Sequence, residues 1–278
     1  MGAKSKYVIV QIASVISGTT RMWMDMDKEP IIEPIDLSTG IEYTWATIAA
    51  AVFAVIIVSV LLILRNRRKQ KNTFLIVGLS DSGKTLIFSK LINKDVNQTT
   101  YTSIKENVCD KLLTKKGQDH RLVDYPGAEK LRTGLFDNWL KKELPSVRGV
   151  IFVIDSGTFN RKLRDVAELL YDVLYQLKIN KSLSTPLLIA CSKQDNSLAK
   201  TEKAISDALE REFGLINISR AAALSSTDGR DGGKLLTFSG GDFSWTDLKM
   251  DDLNFIPTSA IETDEFDLKN VREWIDSH

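Results

Sequence analysis

The run Gly78-Leu79-Ser80-Asp81-Ser82-Gly83-Lys84-Thr85 constrains this chain more than any other feature. It follows the apolar stretch TFLIV at 73–77 and leads into a helical pattern over Lys84–Ile92. It therefore matches the G-x-x-x-x-G-K-[ST] loop in the strand, loop and helix setting that the motif requires. Glycines let a backbone wrap around phosphate oxygens, and the helix N-terminus adds partial positive charge, to which Lys84 adds a full one. The Thr85 hydroxyl is placed to ligate Mg²⁺. On its own this loop specifies a nucleotide, not a base.

From Asn72 onward, short β-branched runs alternate with helical patterns. The expected strands are TFLIV at 73–77, RLVD at 121–124, GVIFVID at 149–155, PLLIACS at 186–192 and NFIPTSA at 254–260. Several are apolar almost throughout, as strands buried on both faces are. Helices are expected over Lys84–Ile92, Arg161–Leu177 and Lys203–Phe213, with a last one that sets Phe266, Val271, Trp274 and Ile275 at helical spacing. The alternation predicts an α/β domain over 72–278 with a mainly parallel central sheet flanked by helices. Ser225–Gly241, rich in Gly, Ser and Asp, is expected to be a solvated, flexible surface loop.

Ahead of this domain, the run Tyr43–Leu64 carries no charge. At 1.5 Å per residue it reaches about 33 Å, against a bilayer core of ~30 Å, so a transmembrane helix is expected over 43–64. A buried core helix is the alternative, but such helices are usually shorter and amphipathic. The flank at 65–71 holds Arg65, Arg67, Arg68, Lys69 and Lys71, whereas residues 22–42 are strongly acidic. The positive-inside rule then puts the following domain in the cytosol and residues 1–42 in the lumen or outside. The basic flank reads as a stop-transfer signal, or as a patch that also binds anionic lipid or RNA. Lys4 and Lys6 precede an apolar run from Tyr7 to Ile16, so residues 1–18 resemble a weak signal peptide. Cleaved or retained, it leaves the same final orientation. Lys6 stands where N-myristoylation wants Ser or Thr, so that lipid is not expected.

Composition removes several classes of function. Lys and Arg number 37 against 36 Asp and Glu, which gives no global basic field for nucleic acid, and no specific DNA binding is expected. The 2 cysteines, Cys109 and Cys191, lie far apart and support neither a disulfide scaffold nor a zinc site. The 2 histidines, His120 and His278, leave little scope for imidazole catalysis.

Three further elements follow the phosphate loop in order. Asp124-Tyr125-Pro126-Gly127 ends an expected strand, where Asp124 can hold magnesium through water and the Gly127 N–H can sense a terminal phosphate. Ser192-Lys193-Gln194-Asp195 ends another; a carboxylate there can accept two hydrogen bonds from guanine N1–H and its exocyclic amine, a donor pair that adenine lacks. Thr258-Ser259-Ala260 offers a small-residue turn to the base carbonyl.

The order and spacing of these four elements resemble the small GTPases of the Ras and Arf type, from Asn72 onward. That resemblance supplies the guanine reading. With a membrane helix in front, the chain is similar in particular to the beta-subunit family of the signal recognition particle receptor, on LSDSGKT, YTSI at 101–104, RDVAELLYDVL at 164–174 and IACSKQD. The resemblance implies GTP or GDP with Mg²⁺ as cofactors. Phosphate contacts then fall to Gly78 through Thr85 and to Gly127, and metal contacts to Thr85, Asp124 and, by alignment with YTSI, Thr102, with Thr99, Thr100 and Ser103 close by as alternatives to Thr102. Guanine contacts fall to Ser192, Lys193, Asp195, Ser259 and Ala260. It implies a single-pass protein of the endoplasmic reticulum membrane that recruits the receptor's alpha subunit, through that subunit's N-terminal domain, for co-translational targeting. The ribosome or translocon would be further partners.

Two positions depart from the pattern. Small GTPases usually carry Gln, and this receptor subunit often His, after the DxxG glycine to orient the attacking water, but here it is Ala128. Either Glu129 or a partner supplies that function, or intrinsic hydrolysis is very slow; no catalytic residue is assigned. Ser192 stands in place of the usual Asn and is expected to lose amide hydrogen bonds to the base and to the phosphate loop. An Arf-like cycling membrane GTPase and a docking platform merely stabilised by nucleotide are the rival readings.

Overall fold

The computed structural model describes residues 7–13, 19–25, 37–67, 71–94, 102–115, 117–180, 182, 184–226, 235–237, 243–261 and 266–278. The chain divides into two compact units, Met1–Arg67 and Arg68–His278.

In the first unit, β1 (Tyr7–Ala13) and β2 (Thr19–Asp25) form an antiparallel hairpin that pairs Tyr7 with Asp25 and Ala13 with Thr19. A long helix follows, α1 (Leu37–Arg67), which contains the uncharged run 43–64. Its described side chains are Trp45 and 47–62, and the large apolar ones among them are exposed. Counted over described residues, no helix is long and apolar enough to cross a membrane.

The second unit is an α/β domain. Its strands are β3 (Thr73–Gly78), β4 (Asn107–Leu113), β5 (Asp119–Asp124), β6 (Val147–Asp155), β7 (Leu187–Ser192) and β8 (Leu253–Pro257), in the sheet order β4-β5-β3-β6-β7-β8. Every neighbouring pair is parallel except β4 with β5. The helices are α2 (Lys84–Ile92), α3 (Phe159–Ile179), α4 (Glu202–Ser226) and α5 (Lys269–Ser277). Alternation along each strand sends side chains to opposite faces. Leu75, Val77, Phe152 and Ile154 therefore join one core with Tyr171 of α3 and Phe213 of α4. Phe74, Ile76, Ile151 and Val153 join the other with Ile87 of α2 and Val271 and Ile275 of α5. β3 and β7 are buried at every residue because helices cover both faces, which is why their sequences are apolar without a break.

Three features differ from the sequence expectation. β4 was not expected: it is an edge strand, half-exposed and interrupted by a register shift between Cys109 and Leu112, so its apolar signal is thin. α4 continues past Phe213 for several more turns. Gly214 does not stop it, because the ~1 kcal/mol that glycine costs inside a helix is offset by the packing that Ile216 and Asn217 find beyond it. Within the expected loop Ser225–Gly241, Ser225 and Ser226 end α4, and Leu236 and Thr237 are buried. The Tyr171 hydroxyl donates to Asn217 Oδ1 and accepts from the Leu236 N–H at 2.8 Å, and Asn217 Nδ2 donates to Thr237 Oγ1 at 2.9 Å. Residues 227–234 and 238–241 of that loop lie outside the described residues.

Candidate functional site

The parallel strands β3, β6 and β7 all end at the same rim of the sheet, where open α/β folds bind ligands. The phosphate loop leaves β3 at Gly78. A Cβ there would lie 2.4 Å from the Val153 carbonyl oxygen of β6, so only glycine fits. Gly83 precedes α2 with φ 94°, a left-handed conformation that glycine adopts without strain. The loop lines a pocket of about 400 Å³ together with Thr102, Ser103, Tyr125, Pro126 and Gly127.

Lys84 is 6% exposed, and its Nζ donates to the Leu79 carbonyl at 2.6 Å. Burial lowers its pKa to about 8, with Asp124 and Asp81 pulling it back up and Lys162 adding to the fall. Asp124, at the end of β5, is fully buried. Its Oδ2 accepts from Thr85 Oγ1 at 2.8 Å and from Asn107 Nδ2 at 3.0 Å, while its Oδ1 has no partner among the described residues. Burial raises the Asp124 pKa, and the hydrogen bonds from Thr85 and Asn107 oppose the rise. A buried carboxylate oxygen with no hydrogen bond is costly unless a cation takes it up. The donor set here is all oxygen, which suits a hard cation such as magnesium. Among the described residues no group of three or more His, Cys, Asp or Glu could hold a metal, so a cation at Asp124 needs hydroxyl and ligand oxygens as well.

The Thr102 and Ser103 hydroxyls part company. Thr102 is exposed and donates to Asp81 Oδ1 at 3.3 Å, whereas Ser103 Oγ lies 3.2 Å from Thr85 Oγ1. Ser103 also accepts from Asn107 Nδ2 at 3.2 Å. The residue against Thr85 is therefore Ser103, one place beyond Thr102, and Asn107 ties it to Asp124. Gly127 lies against the phosphate loop itself: a Cβ would come within 2.4 Å of Ser80 N and 2.8 Å of Gly78 O.

On the base side, Ser192 corrects one expectation. Its hydroxyl donates to the Ser82 carbonyl at 2.6 Å, so the link to the phosphate loop survives despite the short side chain, because the end of β7 lies close enough to reach it. Ser192→Ala is expected to cost ~1–3 kcal/mol of stability by stranding that buried carbonyl, measured by denaturant unfolding. Lys193, held at φ 60°, donates to the Asp81 carbonyl at 2.7 Å and to Asp155 Oδ2 at 2.9 Å. Asp155 also accepts from the Gly157 and Thr158 N–H groups at 2.9 and 3.1 Å. Burial alone would raise the Asp155 pKa, but the hydrogen bonds from Lys193 and Thr158 and the Lys193 charge hold it below the usual value. The exposed Asp195 accepts from Ser259 Oγ at 2.6 Å, which fixes its carboxylate, and Ala260 follows, buried. Sequence reasoning favours Thr102 over its neighbour Ser103 and misses Asn107 and Asp155. Asp155 ends the expected strand GVIFVID, and Asn107 begins the strand that was not expected.

A phosphate loop on a mainly parallel sheet, with a carboxylate at the end of β5 and a second one beside a lysine beyond β7, defines a small GTPase fold. A profile of the signal recognition particle receptor beta subunit matches residues 69–251. The mouse signal recognition particle receptor subunit beta is 34% identical over 238 residues, covering 84% of this chain and 86% of the mouse protein. The solved mammalian SRP receptor is similar with a TM-score of 0.60 and 34% identity, covering 74% of this chain and 98% of that one. The fold is shared by a structure described as the SRb-GTP/SRX complex from Chaetomium thermophilum, at 21% identity and a TM-score of 0.60, covering 74% of this chain and 99% of that one. The chain belongs to the signal recognition particle receptor beta subunit family.

Proposed function

We propose that the chain is a membrane-anchored GTP-binding subunit that recruits the receptor's alpha subunit to the endoplasmic reticulum membrane when GTP is bound, for co-translational targeting. The observation that carries this reading is the pairing of Lys84 and Asp124 around the phosphate loop: a buried ammonium depressed to about 8 and a buried carboxylate with one oxygen unpartnered. Triphosphate oxygens would satisfy the first and Mg²⁺ the second. Magnesium, when bound, neutralises charge between the terminal phosphates. Thr85, Asp124 and the hydroxyls of Ser103 and Thr102 are the groups available to hold it. Asp195, steadied by Ser259, would read the guanine edge. The uncharged run within α1, followed by Arg65, Arg67, Arg68, Lys69 and Lys71, supports an anchor with this domain in the cytosol.

Ala128 presents no polar side chain to an attacking water, so hydrolysis is slow and the GTP state persists. The test is to purify the full chain in detergent, identify its bound nucleotide and follow turnover with and without the alpha subunit. The expected result is retained GTP, turnover at or below about 10⁻⁴ per second, and partner capture only in that state. Bound GDP with partner-stimulated turnover would instead make it a cycling GTPase.

Lys84 also sets a pH dependence. Above pH 8 the empty site loses the lysine proton, whereas a phosphate-filled site keeps it. Nucleotide affinity is therefore expected to fall roughly tenfold per pH unit from about pH 8 toward the ordinary lysine value of 10.5. Stability of the nucleotide-free domain runs the other way: in that window the unfolded chain holds a proton that the folded one has lost, so stability rises with pH. Titration calorimetry and thermal unfolding across pH 7–10 check the two opposite slopes.

A further inference from the structure

Away from the phosphate site, the C-terminal end of α2 and the start of α5 flank a groove with about 750 Å³ of empty space. Its floor includes Leu91 and Leu268, both packed on the domain core. Its rim carries Lys90 from the last turn of α2, Lys94 just beyond that helix, Lys115 from the β4–β5 turn and Lys269 from α5. Arg272 lines it too but is committed to structure: it donates to the Leu91 carbonyl and, at 2.6 Å, to the Leu113 carbonyl, tying α5 to α2 and β4. Among the described residues three carboxylates answer these five cations. Asp267 accepts from the Lys269 N–H at 2.9 Å, while Glu273 and Asp276 stand 4.0 and 3.9 Å from Lys115 Nζ, which leaves Lys90, Lys94 and Lys269 as the cations to be answered. In a chain with 37 basic and 36 acidic residues, this is a local excess of positive charge around an apolar floor.

We propose that this groove binds an acidic amphipathic peptide segment of a protein partner, with apolar side chains on Leu91 and Leu268 and carboxylates against Lys90, Lys94 and Lys269. A compact phosphate is a poorer occupant. It needs convergent donors or backbone N–H groups, but the lysines stand around the rim on flexible stems from three elements. A peptide spreads its charges along the rim and fills the floor as well, the way amphipathic segments occupy grooves elsewhere. The occupant would touch the same nine-residue helix that begins at Lys84 and Thr85. The groove and the phosphate-loop pocket share no lining residue.

The test places the full chain in nanodiscs of phosphatidylcholine and titrates it into a fluorescein-labelled 15-residue probe peptide, with leucines at helical spacing and glutamates between them, read by anisotropy. Saturable binding is expected, weakened at least tenfold by Lys94→Glu combined with Lys269→Glu, with the unfolding midpoint of that variant unchanged. A second probe with its leucines replaced by serine at the same charge is expected to bind at least tenfold more weakly. Absence of saturable binding overturns the proposal, and so does equal binding of the serine probe, which would reduce the groove to a charge effect. Displacement of the probe by equimolar tripolyphosphate would make it a phosphate site. Lys94- and Lys269-dependent binding to phosphatidylserine vesicles without peptide binding would make it a lipid contact. A tenfold gain in probe affinity on neutralising Glu262, Asp264 and Glu265 would assign the groove to the chain's own acidic stretch.

Discussion

Lys84→Met is expected to lower nucleotide affinity by about 10²- to 10³-fold while leaving the empty domain as stable as the parent or more so. The two effects have separate causes. Affinity falls because a phosphate loses a desolvated cation, a change that typically costs ~2–5 kcal/mol. Stability does not fall because, without phosphate, the ammonium is a buried charge whose pKa has already dropped to about 8, and methionine keeps the apolar stem. Calorimetry with GTP·Mg²⁺ and thermal unfolding of the nucleotide-free protein read the two quantities. Partner binding by the variant adds a further decision: capture of the alpha subunit at wild-type affinity would replace the nucleotide switch by a passive docking platform.

Gly127→Ala is expected to be strongly destabilising. The added methyl would lie 2.4 Å from Ser80 N, 2.5 Å from Leu79 C and 2.8 Å from Gly78 O, all backbone atoms of the phosphate loop with no flexible end to move aside. Overpacking of this kind costs ~3 kcal/mol, which for a domain of this size lowers the unfolding midpoint by roughly 6–12 °C. Nucleotide binding should be lost with it, because relief of the clash requires the loop to move. A variant that unfolds at the parent temperature and still binds GTP would show that Gly127 does not pack on the loop in this way.

Much of the fold was legible because its signals are local. The strand TFLIV, the loop and the helix Lys84–Ile92 are written in consecutive residues, and buried parallel strands such as PLLIACS announce themselves by unbroken apolarity. The edge strand Asn107–Leu113 was silent for the opposite reason: with one neighbour and one exposed face, its residues need not be apolar. At the site, glycines and the lysine of the phosphate loop were readable because backbone approach and charge dictate residue type at fixed spacing. The choice between Thr102 and Ser103 was not, since adjacent hydroxyls are chemically equivalent in sequence and only the exit direction of the segment toward Asn107 separates them. Asp155 escaped because an Asp at a strand end is common, and its partner Lys193 comes from a different strand. The burial of Leu236 and Thr237 inside a polar stretch likewise depends on Tyr171 and Asn217, which lie far away in the chain.

The grip of β7 on the phosphate loop works as a lever. Ser192 donates to the Ser82 carbonyl and Lys193 to the Asp81 carbonyl, so the phosphate loop hangs from the end of β7. Any displacement of residues 192–193 is therefore passed straight to the loop backbone at Asp81 and Ser82, although more than a hundred residues of chain separate them.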